Sequence, residues 1–230
     1  MRNFLSIILL SILVNIGSAE DWPTYRANAA RTAYTAEQIP NGLNLRWVHR
    51  SKHAPRPAWP TSKRIDFDKA FHPIIMGDLV IFGSSVNDQV CAIDAATGLT
   101  KWKFFTNGPV RFSPAGWQDR VFVASDDGWL YALSLKDGSL LWKFRGGPDD
   151  SKVLGNERIT SKWPARGGPV VIEDTVYFSA GVWPSDGVHL HALDAGTGKP
   201  VWSNSGTGKI FMAQPHGGAE KINSAVGAGQ

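Results

Sequence analysis

Ala92–Trp102 reads A-I-D-A-A-T-G-L-T-K-W, Ala132–Trp142 reads A-L-S-L-K-D-G-S-L-L-W, and Ala192–Trp202 reads A-L-D-A-G-T-G-K-P-V-W. Every copy keeps alanine first, glycine seventh and tryptophan eleventh. Ala92, Gly98 and Trp102 therefore recur as Ala132, Gly138 and Trp142, and again as Ala192, Gly198 and Trp202. Self-similarity of this kind marks a repeat architecture, in which each unit buries its apolar face against the next.

The second copy shows the unit most cleanly. Phe112–Trp117 is a short apolar run and Gln118-Asp119 turns the chain. Arg120–Ser125 reads as a strand, and Asp126-Asp127-Gly128 is hairpin chemistry, because an Asp-Gly pair tolerates the positive φ of tight turns. Trp129–Ser134 is a third strand, Lys136-Asp137-Gly138 turns again, and Ser139–Phe144 is the fourth. Four antiparallel strands joined by short hairpins make one blade of a β-propeller. The expected class is all-β, with Pro73, Pro114 and Pro169 marking the innermost strands of about three complete blades. Asp78, Asp119 and Asp174 mark the first turns.

The repeated residues have a packing reason. Small alanine and glycine let an indole from a neighbouring blade lie close against the backbone, with its N–H free to find an acceptor. Leu43–His49 resembles an outermost strand with Trp47 in the same docking position, the kind of N-terminal strand that completes a last blade. After Gly208–Pro215, Gly217–Gln230 carries four glycines and no aromatic residue, a poor composition for further strands. The expectation is a partial ring, incomplete at the C-terminus, with a closed four-bladed ring as the alternative. Two places carry extra length: the connection Arg145–Gly168 between blades and the hairpin Gly181–Gly187.

Residues 1–19 have the plan of a secretory signal peptide: Arg2, a largely apolar run from Phe4 to Ile16, then Gly17-Ser18-Ala19. The apolar run is shorter than the ~20 residues of a membrane-spanning helix, so no span is expected after cleavage. The chain is expected to be exported, to a periplasmic or extracellular location. Cys91, the single cysteine, cannot form an internal disulfide and reads as buried packing. The formal charge of +4 is dispersed without a basic block, which argues against a nucleic-acid partner.

The motifs resemble the repeats of the PQQ-type (pyrroloquinoline-quinone-type) β-propeller family, whose tryptophan-docking pattern is Ala-x-Asp-x-x-x-Gly-x-x-x-Trp. The first and third copies carry its aspartate as Asp94 and Asp194; the second has Ser134, which implies one weaker turn contact. Asp21-Trp-Pro-Thr-Tyr-Arg26 is similar to the opening of secreted members, and residues 20–42 form an N-terminal lead-in segment before propeller repeats over 43–230. The resemblance implies a ring of about eight blades in full-length members, more than this chain holds. It also implies either a quinone-dependent dehydrogenase or an assembly scaffold that binds no cofactor.

By that resemblance a dehydrogenase needs adjacent cysteines, and acidic and amide ligands for calcium. The chain has one cysteine, and Asp126, Asp127, Asp149 and Asp150 read as turn and loop residues making local hydrogen bonds. His189-x-His191 places two imidazoles on one strand face, a metal-like spacing without an identifiable third ligand. Binding is the better-supported reading. The connection Arg145–Gly168 carries Arg158, Lys162, Trp163 and Arg166; Trp183 and Arg111 can join them. Cationic and aromatic groups together suit an anionic or carbohydrate-like ligand, or a protein surface. The alternative is that Trp163 and Trp183 only pin long loops onto the blades. The function expected is a non-catalytic scaffold for an unknown protein or small-molecule ligand, with no catalytic, cofactor or metal residues in this chain. The alternative is the N-terminal part of a quinone-dependent oxidoreductase using PQQ and calcium.

Overall fold

The computed structural model describes residues 20–58, 68, 70–155, 157–182 and 186–207 of the 230-residue chain. The signal-peptide reading, Gly208–Gln230 and Trp183 lie outside the described residues.

Three four-stranded antiparallel sheets follow one another along the chain. The first holds β1 (Ile74–Met76), β2 (Leu79–Ser84), β3 (Gln89–Asp94) and β4 (Thr100–Phe105). The second holds β5 (Ala115–Trp117), β6 (Arg120–Ala124), β7 (Trp129–Ser134) and β8 (Leu140–Arg145). The connection Arg145–Gly168, expected as a loop, folds a two-stranded hairpin of its own, β9 (Lys152–Gly155) and β10 (Arg158–Ser161). The third sheet holds β11 (Val170–Ile172), β12 (Thr175–Ala180), β13 (Val188–Asp194) and β14 (Pro200–Thr207). Each sheet is a blade, and its strands stand in chain order as hairpin connections require.

The innermost strands are shorter than the sequence suggests. Phe112–Trp117 contributes only Ala115–Trp117 to the ladder, because Pro114 has no N–H to donate. A strand residue alternates faces, and the inner strands of blade 2 use both. Val121 and Val123 of β6 enter the layer shared with blade 1, alongside Ile74, Ile81, Val90 and Trp102. Phe122 and Ala124 enter the layer shared with blade 3, alongside Val176, Phe178 and Leu193. The core therefore lies between blades, as apolar layers sandwiched sheet to sheet.

The repeat motif is what closes those layers. A side-chain β-carbon placed on Gly98 would lie 2.7 Å from the indole of Trp47, on Gly138 2.5 Å from that of Trp102, and on Gly198 2.7 Å from that of Trp142. Each indole Nε1 donates to a main-chain carbonyl three residues before that glycine: Trp47 to Ala95 at 2.9 Å, Trp102 to Leu135 at 3.0 Å, Trp142 to Ala195 at 3.3 Å. Gly138, at φ +72°, also sits where an L side chain is strained, so the site excludes a side chain for two reasons. The alanine sits opposite the tryptophan of its own blade. Ala92, Ala132 and Ala192 pair directly across the hairpin with Trp102, Trp142 and Trp202 of their own blades, each followed by a register shift. A small residue opposite the indole leaves the tryptophan free to reach into the next blade.

Two further differences have simple causes. In the second copy the backbone turn at Ser134 matches that at Asp94 and Asp194, and Asp137, in the place of Thr97 and Thr197, takes the Ser139 N–H and Oγ–H at 3.0 and 2.7 Å. Leu43–His49 pairs with no strand among the described residues; Trp47 docks without the ladder. The lead-in segment instead adds to the inner edge of blade 1 through reciprocal Trp22–Ile75 backbone bonds of 2.9 Å.

Trp102→Ala in the full chain is expected to cost about 3–5 kcal/mol, since it empties an inter-blade layer. Trp202, 46% exposed, is expected to cost only about 1 kcal/mol when truncated. Urea denaturation of the two variants checks the difference.

Candidate functional site

The loops between blades converge where the hairpin β9–β10 folds back over blades 1 and 2. Ser161 N donates to the Asp126 carbonyl at 2.9 Å and Ala165 N to the Ser125 carbonyl at 3.0 Å, fastening both ends of the crossing to the β6–β7 turn. At the other side Arg158 reaches the β2–β3 turn of blade 1, donating to the Ser85 carbonyl at 3.1 Å and pairing with Asp88. Glu157, at the hairpin tip, pairs with Arg56. The connection is thus held at three points rather than left as a loose excursion.

At the centre stands Asp126, 1% exposed. Arg111 Nε donates to its Oδ2 at 2.6 Å, and Arg166 donates Nε to Oδ1 and Nη2 to Oδ2, both at 3.0 Å. Asp126 is therefore no mere turn residue. Of the Asp126-Asp127 pair, Asp127 does the local work, accepting from Trp129 N at 3.1 Å, Asn107 N at 2.9 Å and the Tyr131 hydroxyl at 2.5 Å. Burial alone would push the Asp126 carboxyl upward, but the Arg166 and Arg111 guanidiniums outweigh it and hold the group below the ordinary carboxylate range. Asp68 lies 4.0 Å from Arg111 Nη1; there burial wins and the carboxyl is raised against the pull of both arginines. Burial likewise raises Asp88 against Arg158.

Beside this cluster opens a pocket of about 190 Å³. Its charged lining consists of Arg56, Arg111, Arg158, Lys162 and Arg166, and the carboxylates that pair with them stand outside that lining. Four residues singled out in the sequence, Arg111, Arg158, Lys162 and Arg166, meet here. Trp163 does not: it is buried in the layer between blades 2 and 3, with Nε1 donating to the Asp186 carbonyl at 2.6 Å. Its work is to pin the loop. Sequence reasoning missed Asp126, Asp88 and Arg56. The hairpin signal of Asp-Asp-Gly accounts for Asp127 and conceals the use of its neighbour, and nothing local ties Arg56 or Asp88 to residues about 70 to 100 positions away.

The His189-x-His191 pair lies on one strand face, as its spacing requires, but that face is an inter-blade layer. His191 stacks on Phe178 at 5.1 Å, with its ring nitrogens 2.9 Å from Ser203 Oγ and 2.8 Å from the Gly146 carbonyl; His189 meets Trp163 edge-on. Asp149 and Asp150 serve locally, accepting from Ser151 N at 2.8 Å and Lys152 Nζ at 2.7 Å. Among the described residues no group of three or more His, Cys, Asp or Glu side chains could hold a metal ion.

A family model of PQQ-type repeats, described as outer membrane protein assembly factor BamB, matches residues 47–162. The dehydrogenase subunit of a quinone-dependent alcohol dehydrogenase from Gluconobacter oxydans is 24% identical over 201 residues, 82% of this chain and 25% of that protein. Its counterpart from Gluconacetobacter polyoxogenes is 27% identical over 143 residues, 56% of this chain and 19% of that protein. The chain thus spans about a fifth to a quarter of the length of these curated relatives. The crystal structure of a quinohemoprotein alcohol dehydrogenase from Comamonas testosteroni superposes with a TM-score of 0.58 at 22% identity, covering 84% of this chain and 28% of that one. That likeness concerns the fold.

Asp126→Ala is expected to destabilise the chain by about 3–5 kcal/mol, because it removes the buried carboxylate that two guanidiniums share; Asp149→Ala, on the surface, is expected to leave the denaturation midpoint close to the parent's. Denaturant titration of both tests this. Burial lowers the His191 pKa, so its neutral form is favoured in the fold. Its stabilising contribution is complete above the unfolded value of about 6.5 and is lost as pH falls below it, because the unfolded chain then takes up the proton more readily. His191→Gln is expected to flatten the loss of stability as pH falls below about 6.5, as read from melting curves on both sides of that value.

Proposed function

Since the chain belongs to the PQQ-type β-propeller repeat family, we propose that it is an exported, non-catalytic propeller scaffold that binds a protein or small-molecule partner, in the periplasm or outside the cell. The observation that carries this reading is the clamped crossing between blades 2 and 3. An inter-blade connection that is folded into a hairpin and fixed by buried ion pairs is a built surface, ready to bind without reordering. The ionisable groups there are spent on one another: Asp126 on two arginines, Asp88 on Arg158, Glu157 on Arg56. A carboxylate held below its ordinary range by two guanidiniums is a weak proton acceptor at neutral pH.

The second reading, the N-terminal part of a quinone-dependent oxidoreductase, draws on the similarity to quinone-dependent alcohol dehydrogenases over 82% of this chain. The described residues do not offer the oxygen ligands that the quinone's calcium ion needs. Calcium takes about six to eight oxygen ligands, whereas the charged lining of the pocket is cationic. Cys91 is buried in β3 beside Phe82 and Ile93, away from that pocket and without a second cysteine.

Titration of the mature chain with pyrroloquinoline quinone and calcium, followed by thermal unfolding, separates the two. The scaffold reading expects a cooperative melt that neither additive moves. A ligand held at 100 times its Kd stabilises by about 2.7 kcal/mol, which is on the order of 5–10 °C for a chain of this size. A rise of that size, abolished by a chelator, overturns the scaffold reading in favour of the dehydrogenase.

A further inference from the structure

We propose that the pocket walled by Arg56, Arg111, Arg158, Lys162 and Arg166 is a binding site for a small oxyanion: a phosphate, a sulfate or a short dicarboxylate. This rests on the binding reading and gives it a ligand class. The polarity of the pocket is the first argument. Among the described residues five cationic side chains line it and no acidic side chain does, so a ligand inside meets donors, with the compensating carboxylates behind them. Arg111 is the buried anchor, its side chain 5% exposed. A guanidinium carries five N–H donors, and Arg111 uses Nε on Asp126 and Nη1 on the Arg56 carbonyl, at 2.6 and 2.7 Å. It is fixed by those bonds and keeps further N–H groups for a ligand.

Hydroxyls complete the donor set. Thr160 and Ser161 of β10 line the pocket, and Ser161 Oγ accepts the Trp163 N–H at 3.1 Å, which leaves its own hydrogen to donate. Lys162 stands nearer solvent, 38% exposed, 3.2 Å from Asp186 and 5.3 Å from the centre of the Trp163 ring. A lysine there adds a mobile point charge to the planar forks of the arginines, a combination suited to tetrahedral and carboxylate oxygens. Size is the second argument. About 190 Å³ falls below the ~300–1,000 Å³ of pockets for drug-sized ligands, so the occupant is small. The internal pairing of the cations sets the character of the site. Attraction comes from charge-assisted hydrogen bonds at short range more than from net charge, so binding is expected to survive moderate salt.

The test titrates the full mature chain with sodium phosphate, sulfate and succinate at constant ionic strength, balanced with chloride, by calorimetry and thermal unfolding. Saturable binding of at least one, with a raised melting temperature, is expected, and the three arms separate tetrahedral anions from dicarboxylates. Lys162→Gln, at the mouth and outside the buried clamp, is expected to weaken binding about tenfold while leaving the unliganded melt in place. Arg158→Gln is expected to weaken it by at least as much. A cooperative melt with no saturable response to any of the three anions overturns the oxyanion site. Saturable binding unchanged in both variants also overturns it, by placing the anion elsewhere. Neither result touches the scaffold reading, which falls only to the chelator-sensitive response to quinone and calcium.

Discussion

An indole laid against a side-chain-free glycine is the contact on which the molecule depends. Trp47, Trp102 and Trp142 each leave their own segment and lie on Gly98, Gly138 and Gly198 of the next, with the ring nitrogen donating to a carbonyl at the same turn. The contact joins a large apolar area to a directional hydrogen bond, so it fixes both the spacing and the orientation of successive sheets. It is also strictly nearest-neighbour. Blade 2 is held from both sides, with Val121 and Val123 facing one layer and Phe122 and Ala124 the other. Blade 3 receives Trp142 but presents its own Trp202 half-exposed, and Val201 and Ile172 of the same blade are exposed as well.

Docking at the blade turns leaves the opposite job, closing the inter-blade loops, to polar chemistry. Asp126 gathers Arg111 from the approach to β5 and Arg166 from the approach to β11, while Arg158 carries the β9–β10 hairpin onto blade 1. A buried ion pair contributes modestly to stability because desolvation offsets much of its attraction, but it is demanding in geometry. The cluster therefore defines where the loops stand. Its arginines face the pocket on one side and meet their carboxylate partners on the other, and the pocket inherits that polarity.

The blades were legible in the sequence because their signals are local. Period-two alternation and Asp-Gly turns place β6 and β7 within a residue of where they lie, and the fixed spacing of Gly138 and Trp142 announces the docking. Even the departure at Ser134 left the turn unchanged, since its main-chain bond from Gly138 N to the Ser134 carbonyl does not use the side chain. The hairpin β9–β10 was less legible. Its strands are only four residues long, their burial does not alternate cleanly, and they read as loop. The candidate site was half legible: residue type drew attention to Arg111, Arg158, Lys162 and Arg166, and equally to Trp163, which belongs to the core.

The sequence by itself determined the repeat, the strands within it and the partner of each docking tryptophan's fold position, because these rest on interactions among residues a few positions apart or at a constant interval. Only the tertiary structure decided which charges meet. Asp126 is one aspartate of a turn until Arg111 and Arg166, 15 residues before it and 40 after, arrive at its two oxygens. Arg158 is one cation of a connection until Asp88, 70 residues earlier, lies beneath it. Charge pairing over such separations leaves no periodic trace in a single chain, since its geometry is set by how whole sheets pack and not by the residues beside each charge.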